Sequence, residues 1–323
     1  MNRSPVEFAA AIRQRDRRAL ARAITLVEST RPDHRREASE LLDLLATTGG
    51  TKRIAITGTP GVGKSTFIEV FGLHLANLGH RVAVLTIDPS STRTGGSILG
   101  DKTRMTELAR HPNAFIRPSP SGGRLGGVAR RTRETISLVE GAGFDVVLVE
   151  TVGVGQSETD VANMTDVFVL LVAPAGGDEL QGVKRGIMEL ADVIVVNKCD
   201  GPLEAQAMAT LSDYASSLRL LRPTTPTWSP VAIPASALTG RGVAELWQAI
   251  QHRHEALDAT GELTDRRATQ RQAWLWDEIR AELFERFRSD AETRRHVALI
   301  EKSVVAGSRS VASGVRELLG GRD

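Results

Sequence analysis

Gly58-Thr59-Pro60-Gly61-Val62-Gly63-Lys64-Ser65 fits the pattern G-x-x-x-x-G-K-[ST] without a mismatch. The β-branched run Arg53-Ile54-Ala55-Ile56-Thr57 stands ahead of it and predicts a buried strand. Behind it, Phe67, Val70, Phe71 and Leu75 recur at helical spacing. Strand, glycine-rich turn and helix form the context that separates a phosphate-binding loop from a chance match. Glycines let backbone N–H groups turn inward around a polyphosphate, and the helix N-terminus adds partial positive charge. Lys64 is expected to reach the β- and γ-phosphates, and the Ser65 hydroxyl to ligate Mg²⁺. The plainer reading is a glycine-rich turn that opens an ordinary helix; the full motif in this context favours a nucleoside-triphosphate site.

Working outward, apolar β-branched runs alternate with helical stretches from about 51 to 255. Strands are predicted at 53–57, 81–87, 114–117, 145–149, 167–172, 192–196 and 229–233. This alternation predicts α/β architecture: a doubly wound, mainly parallel sheet covered by helices on both faces. Ligands of such sheets bind beyond the carboxyl ends of the strands, and every motif considered below follows a strand. Residues 1–50 read as an N-terminal helical extension of two helices, punctuated by Pro32 and Thr47-Thr48-Gly49-Gly50. The arginines at 13, 15, 17 and 18 read as a solvated face. Residues 51–255 form the phosphate-loop domain, and 256–323 a charged helical arm. In that arm Leu275, Ile279, Leu283 and Phe287 recur every four residues beside Trp274, Trp276 and Phe284. A segment too short for its own core either folds back or reaches a partner; dimerisation is the favoured expectation.

The 323 residues are 41% hydrophobic and 25% charged, which suits a soluble globular protein. Lys and Arg number 41 against 39 Asp and Glu, a formal net charge of +2, which gives no reason to expect nucleic acid or membrane as partner. A single cysteine, Cys199, excludes an internal disulfide and suits a reducing compartment. The N-terminal stretch lacks an uninterrupted apolar core and carries Glu7 and Asp16, so a cytoplasmic location is expected.

The second specific signal is Val193-Ile194-Val195-Val196-Asn197-Lys198-Cys199-Asp200, a buried strand ending in N-K-x-D. The Asp200 carboxylate can accept hydrogen bonds from N1–H and the exocyclic amine of guanine, a donor pair that adenine lacks. Asn197 would bond the base edge or brace the phosphate loop, and the Lys198 stem would lie over the purine. A later strand ends in Ser236-Ala237-Leu238, whose N–H groups could meet guanine O6. The nucleotide expected is GTP, with GDP as product. Asp88 and Glu150 each stand at a strand's carboxyl end, within plausible reach of a cation beside Ser65. Gly153 could give its N–H to the γ-phosphate, while Asp101 is either a helix N-cap or a further contact to Mg²⁺ or the attacking water. No general base is evident: Gln156 is not directly after Gly153, and neither Arg93 nor Arg104 is a clear arginine finger. Slow intrinsic hydrolysis that a partner accelerates is the expectation. The segment Gly122–Gly127 reads as a turn into a helix, and the seven histidines show no metal-ligand spacing.

Taken together, GTPGVGKST, VLTIDPSS, ILGDKTRM, VETVGVGQSE, VAPAGGDELQGVK and NKCD, in that order, closely resemble the methylmalonyl-CoA-mutase-associated GTPases, the MeaB type once labelled ArgK. The likeness spans about residues 5 to 290. It implies a homodimeric GTPase chaperone of an adenosylcobalamin-dependent acyl-CoA mutase, gating cofactor delivery from a cobalamin adenosyltransferase and protecting or rescuing the mutase. No tightly bound cobalamin of its own is implied. By motif, Gly58, Thr59, Pro60, Gly61, Val62, Gly63, Lys64, Ser65 and Thr66 bind phosphates, and Ser65 and Asp88 serve Mg²⁺. Asp101 and Glu150 complete that surrounding, and Asn197, Lys198 and Asp200 read guanine. The loop Gly176–Lys184, with Asp178, Gln181 and Lys184, resembles the family's additional switch toward the mutase. A nickel-type metal-delivery GTPase would need Cys or His ligands that the sequence does not offer. A small-molecule kinase would need an acceptor pocket with a catalytic base.

Overall fold

The computed structural model describes residues 4–46, 49–87, 105–118, 125–151, 157–174, 185–220 and 225–320. Seven strands form one sheet: β1 (Lys52–Gly58), β2 (Val82–Ile87), β3 (Ala114–Pro118), β4 (Val146–Thr151), β5 (Val167–Val172), β6 (Val193–Val196) and β7 (Val231–Pro234). Their order is β3-β2-β4-β1-β5-β6-β7, and every neighbouring pair is parallel. The expected parallel, doubly wound α/β sheet is therefore what the chain forms. Strand β1 lies at the centre, because β2 crosses over the place β4 later takes while β5 pairs on β1's other side. Chain order reverses there, and ligands of such sheets bind beyond the carboxyl ends at that point.

Period-2 alternation covers both faces. Ile54, Ile56, Val146, Leu148, Val169, Leu171, Val193 and Val195 join a buried cluster with Phe67, Phe71 and Leu75 of α4 (Lys64–Asn77). Leu246, Trp247 and Ile250 of a later helix, named below, complete this layer. On the opposite parity, Ala55, Val147, Val149, Phe168 and Leu170 are equally buried. Strands apolar on both faces can only be central strands between helical layers. The connecting helices are α5 (Thr106–Arg110), α6 (Leu125–Gly141), α7 (Ser157–Ala162), α8 (Arg185–Met188) and α9 (Glu204–Leu218).

The N-terminal extension differs from expectation. It holds three helices, α1 (Pro5–Arg13), α2 (Arg17–Val27) and α3 (Pro32–Leu45), where the apolar stripe through Phe8, Ile12 and Leu20 predicts one helix before Pro32. The break is at Arg15, whose φ of 69° is left-handed, and at Asp16, whose carboxylate caps α2 by accepting from the N–H of Arg18 and Ala19. Leu20, Ile24 and Leu41 are fully buried where these helices pack on each other and on α6. The arginine face is exposed, yet Arg13 and Arg17 donate to the Leu44 and Ala114 carbonyls.

The helices α10 (Val243–Ala259) and α11 (Glu262–Ser289) follow β7. Each sends one arginine to the amino ends of β5 and β6. Arg253 is wholly buried, 2.8 Å from Asp192, and donates to the Asp166 carbonyl at 2.6 Å. Arg267 forks onto both Asp166 oxygens at 2.9 and 2.6 Å. Asp166 also accepts from the Arg53 N–H at 2.9 Å, while the Arg53 side chain forks onto Glu140. The chain divides into a unit of residues 1–267 and a unit of residues 268–323. The second contains the rest of α11 with α12 (Ala291–Val305) and α13 (Val311–Gly320).

Candidate nucleotide site

The phosphate loop leaves β1 at Gly58 and enters α4 at Lys64. Two positions require glycine. At Gly58 a Cβ would lie 2.4 Å from the Leu171 carbonyl oxygen, because β5 runs alongside. Gly63 caps α4 at φ 90°, where a Cβ would come within 3.1 Å of the Asn197 amide. The Lys64 ammonium folds back on the loop, donating to the Gly58 carbonyl at 2.7 Å and that of Thr59 at 3.2 Å. Burial pulls its pKa below the ordinary lysine value, against the opposing fields of Glu150 and Glu158.

Register brings the acid of β4 to this loop. Ile56 pairs with Glu150, and one step further the Thr151 hydroxyl donates to Thr57 at 2.7 Å. Glu150 is buried, and its Oε1 accepts from the Ser65 hydroxyl at 3.1 Å. A hydroxyl and a carboxylate converging beside a phosphate loop are hard oxygen donors, the set that suits Mg²⁺. Among the described residues no group of three or more His, Cys, Asp or Glu could hold a metal. Asp88, Asp101, Gly153, Asp178, Gln181 and Lys184 lie outside the described residues, as do Arg93, Arg104 and Gln156.

The guanine-type motif is bound to the phosphate loop by its own side chains. Asn197 is buried, its amide donates to the Val62 carbonyl at 2.9 Å, and its Oδ1 accepts from the Ala237 N–H at 3.1 Å. Of its two expected roles, bracing the loop is the one seen. Lys198 reaches the Gly61 carbonyl at 2.8 Å and holds a left-handed φ of 59°, a strained value for a residue with a Cβ. The Ser236 hydroxyl donates to Asp200 and accepts the N–H groups of Leu238 and Thr239 at 3.2 Å each. Ser236 and Ala237 thus tie this turn to Asp200 and Asn197, and Leu238 closes it on the Ser236 hydroxyl. One Asp200 oxygen is engaged by serine, which orients the carboxylate.

Two residues enter this region that sequence reasoning passed over. Arg241 donates to Glu204 at 2.6 Å and to the Cys199 carbonyl at 3.4 Å, while its own carbonyl accepts the Ser236 N–H. It bridges the two guanine-side loops, and no local pattern marks an arginine in a turn for that role. Glu158, in the first turn of α7, is buried, and its charge acts on Lys64 of the phosphate loop. In sequence it reads as one more acid at a helix N-terminus, where acids are common.

Residues 20–292 match the family model described as methylmalonyl Co-A mutase-associated GTPase MeaB. A "Probable GTPase" of Mycobacterium tuberculosis is 53% identical over 313 residues, 97% of this chain and 93% of that protein. The "Methylmalonic aciduria type A homolog, mitochondrial" of Mus musculus is 48% identical over 305 residues, covering 91% of this chain and 74% of the relative. Among solved structures, one titled as a LAO/AO transport system kinase superposes with a TM-score of 0.78 at 39% identity, covering 98% of this chain and 97% of its own.

Proposed function

Because the chain belongs to the methylmalonyl Co-A mutase-associated GTPase family and is a GTP hydrolase, we propose that it serves as the nucleotide-driven chaperone of an adenosylcobalamin-dependent methylmalonyl-CoA mutase. The observation that carries the nucleotide half is the direct tie between the two halves of the site. Asn197 and Lys198 each hold a carbonyl of the phosphate loop, so base recognition and phosphate binding move together. The client half rests on the family description and on the relatives' names.

In this reading the residues from Gly58 to Thr66 wrap the phosphates with backbone N–H groups. Lys64 exchanges the Gly58 and Thr59 carbonyls for the β- and γ-phosphates, trading two neutral acceptors for charged ones. Ser65, Glu150 and Asp88 would hold Mg²⁺, with Asp101 and the Gly153 N–H beside the γ-phosphate. Held by these residues, the ion would supply positive charge against the negative charge that develops on the phosphoryl group. Asp200, already oriented by Ser236, accepts from guanine, and the Lys198 stem covers the ring. With no general base assigned, hydrolysis is slow until the mutase completes the site through the segment carrying Asp178, Gln181 and Lys184.

The protein is read as a homodimer, supported by Leu275, Trp276, Leu283 and Phe284 of α11, each at least half exposed. A cobalamin adenosyltransferase is the proposed cofactor source, and in this reading the chain does not itself bind cobalamin tightly. Location in the cytoplasm is proposed; among the described residues no helix is long and apolar enough to cross a membrane. The test is GTP turnover by wild type and Lys184→Ala, each with and without purified mutase. Stimulation of wild type with little stimulation of the variant, at nearly equal GTP affinity, is expected. No stimulation of wild type refutes the client, and equal stimulation of both refutes the switch.

A further inference from the structure

Glu158 is 1% exposed, and neither of its carboxylate oxygens has a hydrogen-bond partner among the described residues. Burying an ionisable group without donors is costly, and a fold keeps such a group where a ligand supplies the compensation. Its position indicates which ligand. The helix that carries it, α7, packs on β1, which ends at Gly58, and on β4, whose last two residues are Glu150 and Thr151. Its carboxylate and that of Glu150 both act on Lys64, opposing the loss of charge that burial favours there. Glu150 is joined to the Ser65 hydroxyl at 3.1 Å. Beneath one phosphate loop, therefore, stand two buried carboxylates and one lysine. These two negative charges work against the loop's N–H groups and Lys64 in holding a bare polyphosphate, and a divalent cation offsets them.

We propose that Glu158 is a positioning residue whose buried charge makes nucleotide binding depend on Mg²⁺. Resting on the GTP and Mg²⁺ reading above, the inference deepens it: Glu158 acts on the cation from behind Glu150 and penalises metal-free nucleotide. The carboxylate belongs to the electrostatics of the loop rather than to the packing of α7.

The experiment compares wild type, Glu158→Gln and Glu158→Asp by calorimetric titration with GDP, in Mg²⁺ and in EDTA, so that hydrolysis plays no part. Thermal melting of the nucleotide-free proteins accompanies it. For Glu158→Gln, GDP in EDTA is expected to bind more tightly, and the tightening produced by Mg²⁺ to shrink by a factor of about ten, the scale of one buried unit charge near a phosphate. The empty variant should melt no lower than wild type. Glu158→Asp keeps the charge and should keep most of the Mg²⁺ effect. A glutamine variant that fails to fold or melts lower shows the carboxylate serving the fold, which overturns the proposal. An unchanged Mg²⁺ effect in a folded glutamine variant overturns it as well, leaving the general GTP and Mg²⁺ reading intact. Wild type indifferent to Mg²⁺ would instead sink the metal reading, and this proposal with it.

Discussion

At Asp200, one carboxylate oxygen accepts from the Ser236 hydroxyl, and in the proposed reading the carboxylate also accepts from guanine. Replacing it by asparagine keeps the shape and turns an acceptor into a donor. GTP should then bind more weakly by about 2–3 kcal/mol, the value of a charge-assisted hydrogen bond, while xanthosine triphosphate gains. Competition of both nucleotides against a fluorescent guanine nucleotide measures this; an Asp200→Asn variant that still prefers GTP would remove Asp200 from base recognition. Arg241 supplies the matching control. It braces the Cys199 carbonyl and Glu204, so Arg241→Ala loosens both loops without changing which base is preferred.

At the scale of elements, α11 combines two unlike tasks. Its second turn carries Arg267, which is buried against Asp166, whereas Leu275, Leu283 and Phe284 further along are exposed. Truncation just after Gln270 therefore keeps the arginine and removes the apolar residues; a soluble, GTP-binding monomer by light scattering is expected, and a persisting dimer would place the interface elsewhere. Truncation before Glu262 removes Arg267 and leaves Asp166 buried with its strongest partner gone. Breaking a buried pair in this way costs about 3–5 kcal/mol. The shorter chain should be markedly less stable in urea, and equal midpoints for the two truncations would show that Arg267 contributes little.

Over the whole molecule, the two buried pairs at the amino ends of the sheet respond oppositely to acid. Burial raises the pKa of Asp166, but the Arg267 guanidinium, Arg53 and the Arg53 N–H outweigh it, and the net value lies below the ordinary aspartate range. Its folded pKa is thus lower than its unfolded one, so its stabilisation is present above about pH 4 and is lost as pH falls through the folded value. For Asp192 desolvation exceeds the pull of Arg253, and its pKa is raised. That group binds its proton more readily folded than unfolded, so falling pH relieves a cost there. Acid sensitivity from this end of the molecule therefore belongs to Asp166. Asp166→Asn should lower the urea midpoint at pH 7 and flatten its decline below pH 4; a decline as steep as in wild type would assign the acid sensitivity to other groups.

What sequence alone determined was everything local in origin. The seven strands, the phosphate loop and the N-K-x-D strand end follow from periodicity, β-branching and glycine placement, which act over a few residues. The family likeness added the proposed client. Strand order was not legible, since β4 enters between β1 and β2 through partners far away in the chain, Lys52 with Val146 on one side and Val82 with Val146 on the other. The third N-terminal helix was hidden because Arg15 adopts a left-handed φ that an apolar stripe does not record. The roles of Arg241, Arg253, Arg267 and Glu158 depend on which distant carbonyl or charge lies opposite each one. Only the tertiary structure decides that, because burial sets the cost of an ionic group and burial belongs to the assembled fold.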